Sequence, residues 1–187
     1  MAIRLGTPAD ADNLAGLAAR TFRDTFADGS QAEDMALHLP QAYGPLQQGR
    51  ELADPGVVTL LVDVSDRLVG YAQLRQGPAP ACVAGGAPIE LWRFYLLQEW
   101  HGRGLAQMLM QWVDEEARRA GAQTMWLGVW EHNERAKAFY RKCSFVDVGA
   151  HVFMVGRDAQ TDRIMIRPCE KVASWLEADH ALNGGVR

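Results

Sequence analysis

The chain has 187 residues, of which 48% are hydrophobic and 22% charged, and its net charge is −4. This length and balance indicate one globular domain with its own core and exclude disordered, collagen-like and coiled-coil proteins. The mild negative charge disfavours nucleic-acid binding, and no apolar run reaches the length of a membrane span. Three distant cysteines without a CxxC pair favour neither a disulfide framework nor a metal site. Because the N-terminus lacks a signal-peptide core, we expect a cytoplasmic protein.

The first half of the chain predicts a strand, two helices and a pair of strands. Thr7, Pro8 and Asp10 are typical of a helix start, and apolar residues then recur on one face to about Phe22. Pro40 is expected to end the second helix. The predicted ranges are residues 3–5, 57–64 and 69–75 for the strands and residues 7–22 and 32–39 for the helices. Residues 76–88, rich in glycine and proline, predict a loop.

The second half predicts four strands and two helices. The clearest helix spans residues 104–120 and is followed by Gly121, which suits a helix end. Its expected core face carries Leu105, Met108, Leu109, Trp112, Val113, Ala117 and Ala120. The other predicted ranges are strands 89–96, 124–129, 146–155 and 162–167 and helix 133–142. The order βααβββαβαββ predicts an α/β (α+β) domain over residues 1–168, with a mixed sheet of six to seven strands flanked by helices, and a tail of helical potential over residues 169–187.

A glycine-rich turn lies between the strand that ends at Leu96 and the clearest helix. Gly102 and Gly104 allow unusual dihedral angles and a close approach of the backbone to a ligand. The helix start adds unpaired N–H groups and a positive dipole end, and Arg103 can add a charge-assisted contact, so the turn predicts a phosphate site. The alternative is a purely structural turn. The third glycine of a dinucleotide motif and the lysine of a P-loop are both missing, which disfavours those two folds.

Two segments together resemble the acetyl-coenzyme A motifs of the GNAT N-acetyltransferase superfamily. Residues 101–106, HGRGLA, resemble the pattern Q/R-x-x-G-x-G/A, with His101 at its first position. Residues 133–145, NERAKAFYRKCSF, resemble N-x-R-A-x-x-F-Y-x-K-x-G-F, with Ser144 in place of glycine. Within the superfamily, residues 21–26, 93–95 and 156–162 are most similar to the PaiA-type polyamine acetyltransferases. The resemblance extends to about Pro168.

This resemblance implies direct transfer of the acetyl group of acetyl-coenzyme A to a primary amine, with a polyamine as one candidate. It implies that Phe94, Tyr95 and Leu96 offer backbone groups to the pantetheine arm and that one of their amides stabilises the oxyanion. It implies a pyrophosphate cradle made by Gly102, Arg103, Gly104, Leu105, Ala106 and Gln107. Asn133 would hydrogen-bond the cofactor arm, and its alternative role is a helix N-cap. No metal is implied.

Two residues are implied in catalysis. Tyr140 matches the tyrosine that protonates the departing thiolate, and a phenol, with a pKa of about 10, carries its proton at neutral pH. The alternative for Tyr140 is a packed aromatic. Glu90 aligns with a glutamate that some members use as general base, a role that water fills in others. The alternative for Glu90 is a carboxylate that is solvated or paired with Arg93.

Other ionisable residues have weaker assignments. His101 and His151 are further candidates for proton transfer, although a lone histidine is more often structural. Asp24, Asp158 and Asp162 are candidates for attracting a cationic amine, with simple solvation as the alternative.

Three functions remain open at this stage. The first is an enzyme that acetylates a small-molecule amine, as a monomer or a homodimer. The second is a sensor that binds acetyl-coenzyme A without catalysis, and the third is an acetyltransferase for a protein N-terminus or lysine. The loops expected to select the acceptor, residues 27–54 and 76–88, carry the least pattern, so the acceptor itself is not predicted.

Overall fold

The structure is a computed structural model that describes residues 1–26, 32–155 and 158–169. Its α-helices are α1 (Ala11–Phe26), α2 (Ala32–Tyr43), α3 (Pro45–Ala53), α4 (Leu105–Arg119) and α5 (Glu134–Lys142). Its strands are β1 (Ala2–Leu5), β2 (Val57–Val64), β3 (Arg67–Gln76), β4 (Pro88–Leu96), β5 (Thr124–Trp130), β6 (Val146–Val155) and β7 (Asp158–Pro168). The predicted tail beyond residue 169, and the Gly156 and Arg157 of the PaiA-like segment, lie outside the described residues.

One sheet contains all the described strands, in the order β1-β2-β3-β4-β5-β7-β6. Strands β4 and β5 pair in parallel, and every other neighbouring pair is antiparallel. Both faces of β3 are covered, since consecutive residues of this strand are buried and both α1 and α4 pack against it. The predicted mixed sheet flanked by helices is therefore confirmed. None of the described helices is long and apolar enough to cross a membrane.

The helical region before β2 differs from the prediction in two ways. Pro40 does not end α2, which continues to Tyr43. Proline lacks the N–H of one helical bond, but the Pro40 carbonyl still accepts from the N–H of Gly44 at 3.1 Å, so the helical bonding continues past it. Helix α3 was not predicted, because it buries the polar Gln48 and Glu51 rather than an apolar stripe.

The buried face of α4 is rotated relative to the predicted one. Leu109, Val113 and Ala117 are buried as predicted, but Met108 and Trp112 are exposed. Ala120 is exposed as well, whereas Met110 and Glu116 are buried in addition to the predicted residues. An amphipathic helix with large apolar residues on both flanks of its stripe has two nearly equivalent orientations, and packing against the sheet selects between them.

Two elements start at residues that differ from the predicted ones. The predicted helix at Thr7 begins with a 3-10 turn over Pro8–Asp10, and the Asp10 carboxylate accepts from the Thr7 backbone N–H at 2.8 Å. Strand β7 begins at Asp158, earlier than the predicted residue 162.

Candidate active site

The sheet opens between β4 and β5. These strands pair only where Pro88, Ile89 and Glu90 lie opposite the start of β5, up to Trp126. Beyond Glu90, β4 remains paired with β3 as far as Leu96, while β5 remains paired with β7. The facing edges of both strands are therefore unpaired along the gap. Backbone groups on such edges are available to hydrogen-bond a ligand.

A β-bulge lies where β4 leaves β5. Gln73 of β3 is paired with Arg93 and its neighbour Leu74 with Leu91, so that Trp92 has no partner in β3. An extra residue of this kind bends the strand and increases its twist. The bulge thus accounts for the divergence of the two strands.

A cleft of about 600 Å³ occupies this gap. The predicted site residues that line it are Glu90, Phe94, Tyr95, Leu96, Gly102, Gly104, Ala106, Gln107, Asn133 and Tyr140. The two others do not line it. The Arg103 guanidinium lies over the Trp100 ring at 5.0 Å, and the Leu105 side chain is buried in the core. Leu105 can serve the cleft only through its backbone.

The glycine turn has the geometry expected of an anion site. Gly102 and Gly104 have φ angles of 72° and 80°, a left-handed conformation that favours glycine. A Cβ built on Gly104 would meet no atom within 4 Å, so the backbone conformation, rather than crowding, requires glycine. The first intrahelical bond runs from the Met108 N–H to the Gly104 carbonyl at 3.2 Å. The amides that precede Met108 in the first turn of α4 therefore have no intrahelical acceptor.

His101 fastens this turn to its surroundings. Its Nε2 lies 3.0 Å from the Leu96 carbonyl, and the Arg135 guanidinium contacts its Nδ1. This arrangement assigns the proton to Nε2, which donates to the carbonyl, and leaves Nδ1 to accept from Arg135. Burial and the charge of Arg135 lower the pKa of His101. A neutral His101 thus joins the end of β4 to α5 and helps to hold the turn in place.

Tyr140 places a phenol in the cleft. The Tyr140 ring packs among the rings of Phe94, Phe139 and Phe145. Only 7% of the surface of Tyr140 is exposed. Among the described residues, no group forms a hydrogen bond with its hydroxyl. Burial raises the pKa of Tyr140 above its ordinary value, so the phenol keeps its proton over the whole neutral range.

Two further positions of the second motif have clear structural roles. The Asn133 Oδ1 accepts from the Ala136 backbone N–H at 3.0 Å, so Asn133 is the N-cap of α5. Ser144 has a φ of 66°, the left-handed conformation that glycine adopts most easily. The turn after α5 is therefore retained despite the substitution, and the Phe145 N–H donates to the Tyr140 carbonyl at 3.0 Å.

Glu90 pairs with Arg75, and not with Arg93, which the sequence offered as one alternative to the role of general base. Its Oε2 accepts from the Arg75 Nε at 2.9 Å and from Nη2 at 2.5 Å. Burial raises the pKa of Glu90, and the neighbouring Arg75 opposes that shift. Arg75 belongs to no motif in the sequence, and its pairing depends on the register of β3 and β4.

Arg93 belongs to a buried polar network behind the cleft. It forms an ion pair with Glu51 of α3, and it donates to the Gln73 Oε1 at 2.7 Å and to the Ala42 carbonyl at 3.2 Å. Its guanidinium also lies 3.8 Å from the centre of the Trp92 ring. The network joins α2 and α3 to the bulge of β4. The sequence did not predict this network, because its counter-ion, Glu51, lies on the unpredicted helix α3.

The strands beyond β5 bring two separately predicted residues together. His151 of β6 and Trp130 of β5 are both register partners of Asp162 on β7, and the three line the cleft. The His151 Nε2 lies 3.8 Å from the Asp162 Oδ2. Burial raises the pKa of Asp162 to about 6, against the opposing effect of His151. Asp24 of α1 also lines the cleft.

Comparison with known protein families identifies the family of the chain that forms this cleft. The model of the acetyltransferase (GNAT) family matches residues 18–145, which include the glycine turn, Glu90 and Tyr140. The chain belongs to the GNAT family. It is an N-acetyltransferase whose co-substrate is acetyl-coenzyme A, as the resemblance of the two motifs predicted.

Similar proteins agree with this family. The chain is 33% identical over 156 residues to an uncharacterised N-acetyltransferase of Lactobacillus delbrueckii subsp. lactis, which covers 83% of this chain and 90% of that one. It is 35% identical over 158 residues to one of Mycobacterium tuberculosis, with coverage of 84% and 97%. The fold is similar to that of the PaiA N-acetyltransferase of Thermoplasma acidophilum, solved with coenzyme A, with a TM-score of 0.68, 19% identity and coverage of 90% and 99%.

Proposed function

We propose that this GNAT enzyme acetylates the primary amine of a small molecule, with a polyamine such as spermidine as the first acceptor to test. The observation that carries the proposal is that one cleft joins an anion-binding turn to a group of carboxylates. The turn suits a pyrophosphate, and the carboxylates of Asp162 and Asp24 suit a cation. Because both lie in the same cleft, an acyl donor and an amine can meet there.

The cofactor would be held mainly by backbone groups. The amides from Gly102 to Gln107 would bind the pyrophosphate, and the unpaired edge of β4 at Phe94, Tyr95 and Leu96 would bind the pantetheine arm. The Asn133 side-chain N–H groups would add a bond, since its cap uses only the oxygen. Bound acetyl-coenzyme A supplies an activated thioester. An amide of β4 beside the thioester carbonyl would stabilise the negative charge that develops on its oxygen.

Proton transfers fall to side chains of the cleft. An ammonium group with a pKa of about 10 loses one proton before attack and a second one as the carbon–nitrogen bond forms. Glu90, or a water beside it, would accept the second proton. Tyr140 would donate a proton to the departing sulfur, and its raised pKa supports the role of an acid. Tyr140 then regains a proton from solvent, so that one proton is released overall.

The lining of the cleft favours a cationic acceptor with an apolar body. Trp130 lines the cleft and is half-buried, so methylene groups of an acceptor can pack against its ring. The two arginines at this end, Arg75 and Arg93, are paired with Glu90 and Glu51, so they are not free to attract an anionic acceptor. These features support a polyamine over an acidic substrate. Cytoplasmic localisation and a homodimer stay predictions of the sequence.

Thiol release from acetyl-coenzyme A tests the proposal. The purified chain should be assayed with spermidine, spermine, a lysine-containing peptide and a peptide with a free N-terminus, and products should be identified by mass spectrometry. We expect saturable release and an acetylated polyamine. Tight binding of coenzyme A without release in any reaction would support the sensor instead, and faster acetylation of a peptide would support the protein acetyltransferase.

A further inference from the structure

The Asp162–His151 pair spans from the cleft to solvent. The two residues are register partners on β7 and β6, so their side chains lie on the same face of the sheet as Trp130. The Asp162 side chain is 14% exposed, whereas that of His151 is 38% exposed. A proton that reached Asp162 would therefore have a titratable neighbour with access to water.

Gly128 lets this pair lie against β5, beside the gap. Gly128 is two residues beyond Trp126, where the pairing of β4 with β5 ends. A Cβ built on Gly128 would lie 3.0 Å from the Asp162 Oδ2 and 3.5 Å from the His151 Nε2. Any other residue would press on the pair. The Asp162–His151 pair can lie close to β5 because Gly128 has no side chain. This position is beside the point where the unpaired edge of β5 begins.

One oxygen of Asp162 has no partner. Among the described residues, no group forms a hydrogen bond with the Asp162 Oδ1, although this atom is buried. A buried carboxylate oxygen without a donor is unfavourable, and a ligand that brings N–H donors removes the penalty. Glu90, the other carboxylate on this face, has its Oε2 occupied by Arg75. Asp162 is thus the better placed of the two to receive a new cationic donor.

We propose that Asp162 binds the ammonium group of the acceptor and takes its first proton, which His151 passes on to solvent. The inference rests on the proposed function, because it requires a primary amine as acceptor. An N–H bond of the ammonium breaks and an O–H bond forms on Asp162, while the nitrogen keeps the electron pair with which it attacks the thioester. The proton then moves to the His151 Nε2, and His151 releases a proton to water. Asp162 returns to its carboxylate form for the next turnover.

The electrostatic surroundings agree with this role. The ionisable side chains that line the cleft besides Asp162 are Asp24, His38, Arg75, Glu90, Arg93, His101, Arg135 and His151, together with Tyr43, Tyr95 and Tyr140. Burial affects Asp162 more strongly than these charges do and raises its pKa to about 6. Only the carboxylate form can take a proton, so turnover should decline as the pH falls below about 6. A base with a pKa near the working pH is also the most effective one.

Asp162→Asn tests the inference, with Asp147→Asn as the matched control. Asp147 lies on β6 of the same hairpin, pairs with Arg163 at 2.7 Å and does not line the cleft. With spermidine as acceptor, Asp162→Asn should lower kcat/KM by roughly 10²-fold or more at pH 7 and abolish the decline near pH 6. The affinity for acetyl-coenzyme A should stay at the wild-type value, and the control should behave as wild type in both respects.

His151→Gln separates binding from proton relay. It leaves the Asp162 carboxylate to hold the ammonium, so kcat should fall while KM for spermidine changes little. Calorimetry with spermidine on the coenzyme A-bound enzyme adds a readout without turnover, in which Asp162→Asn should weaken binding. Wild-type kcat/KM with an unchanged pH profile in Asp162→Asn would overturn the inference alone. Absence of turnover in the wild type with every amine would instead overturn the proposed function, and this inference with it.

Discussion

Tyr140→Phe removes one oxygen atom from the cleft and leaves the aromatic ring in place. The ring contacts with Phe94, Phe139 and Phe145 do not involve the hydroxyl, and no described residue forms a hydrogen bond with it. No buried group therefore loses a partner in the variant. We expect the free energy of unfolding to change by no more than about 1 kcal/mol.

Turnover should respond far more strongly than stability. If Tyr140 protonates the departing sulfur, loss of this donor should lower kcat by roughly 10²–10⁴-fold, which corresponds to about 3–5 kcal/mol on the barrier. The affinity for acetyl-coenzyme A should barely change, because the contact strengthens only as negative charge develops on sulfur.

Single-turnover thiol release and calorimetry would measure the two quantities. Tyr71→Phe is the matched control, since Tyr71 is a buried tyrosine whose side chain does not line the cleft. That control should turn over as wild type does. If Tyr140→Phe releases thiol at the wild-type rate while the chemical step limits the reaction, then Tyr140 only packs in this protein and another group supplies the proton.

Three further predictions concern the glycine turn, the Arg93–Glu51 ion pair and the thiol of Cys143. Gly104→Glu should weaken acetyl-coenzyme A binding by roughly tenfold or more in calorimetry, because it places a carboxylate at the positive end of α4, whereas Gly121→Glu, at another left-handed glycine away from the cleft, should not. Arg93→Met should lower the free energy of unfolding in urea by roughly 3–5 kcal/mol, because it leaves the buried Glu51 carboxylate without its counter-ion. Adding Glu51→Met should restore much of this loss. A loss below about 1 kcal/mol in the single variant would contradict the expectation. Cys143→Ser should keep its turnover, because Cys143 does not line the cleft and burial raises the pKa of its thiol; an acetyl group trapped on Cys143 by mass spectrometry would refute direct transfer.

The sequence predicted those features of the chain that depend on local interactions. Gly102 and Gly104 mark a strand-to-helix turn because only glycine adopts left-handed angles freely, and that restriction acts within the residue itself. Asn133 marks the start of α5 for a similarly local reason, since its side chain bonds the backbone three residues later. Alternation and periodicity likewise predicted the strands and the order of elements. The two motifs that carry the family resemblance lie in such locally determined segments.

Tertiary structure decided the features that join distant segments. The face that α4 buries, with Met108 and Trp112 left exposed, depends on how the helix packs on the sheet. Helix α3 buries Glu51 against Arg93, 42 residues further along the chain, so no local apolar pattern predicts this helix. Both outcomes follow from packing between elements, which a pattern within one element cannot specify.

The sequence by itself determined the glycine turn, the tyrosine of α5 and the carboxylate of β4, because each belongs to a short motif. Only the register of the sheet decided that Glu90 pairs with Arg75 and that His151 meets Asp162 over Gly128. A shift of one residue between two strands would turn these side chains to the opposite face. Strand register is set by the contacts of the whole sheet, and for that reason the proposed acceptor site at Asp162 depends on the folded chain.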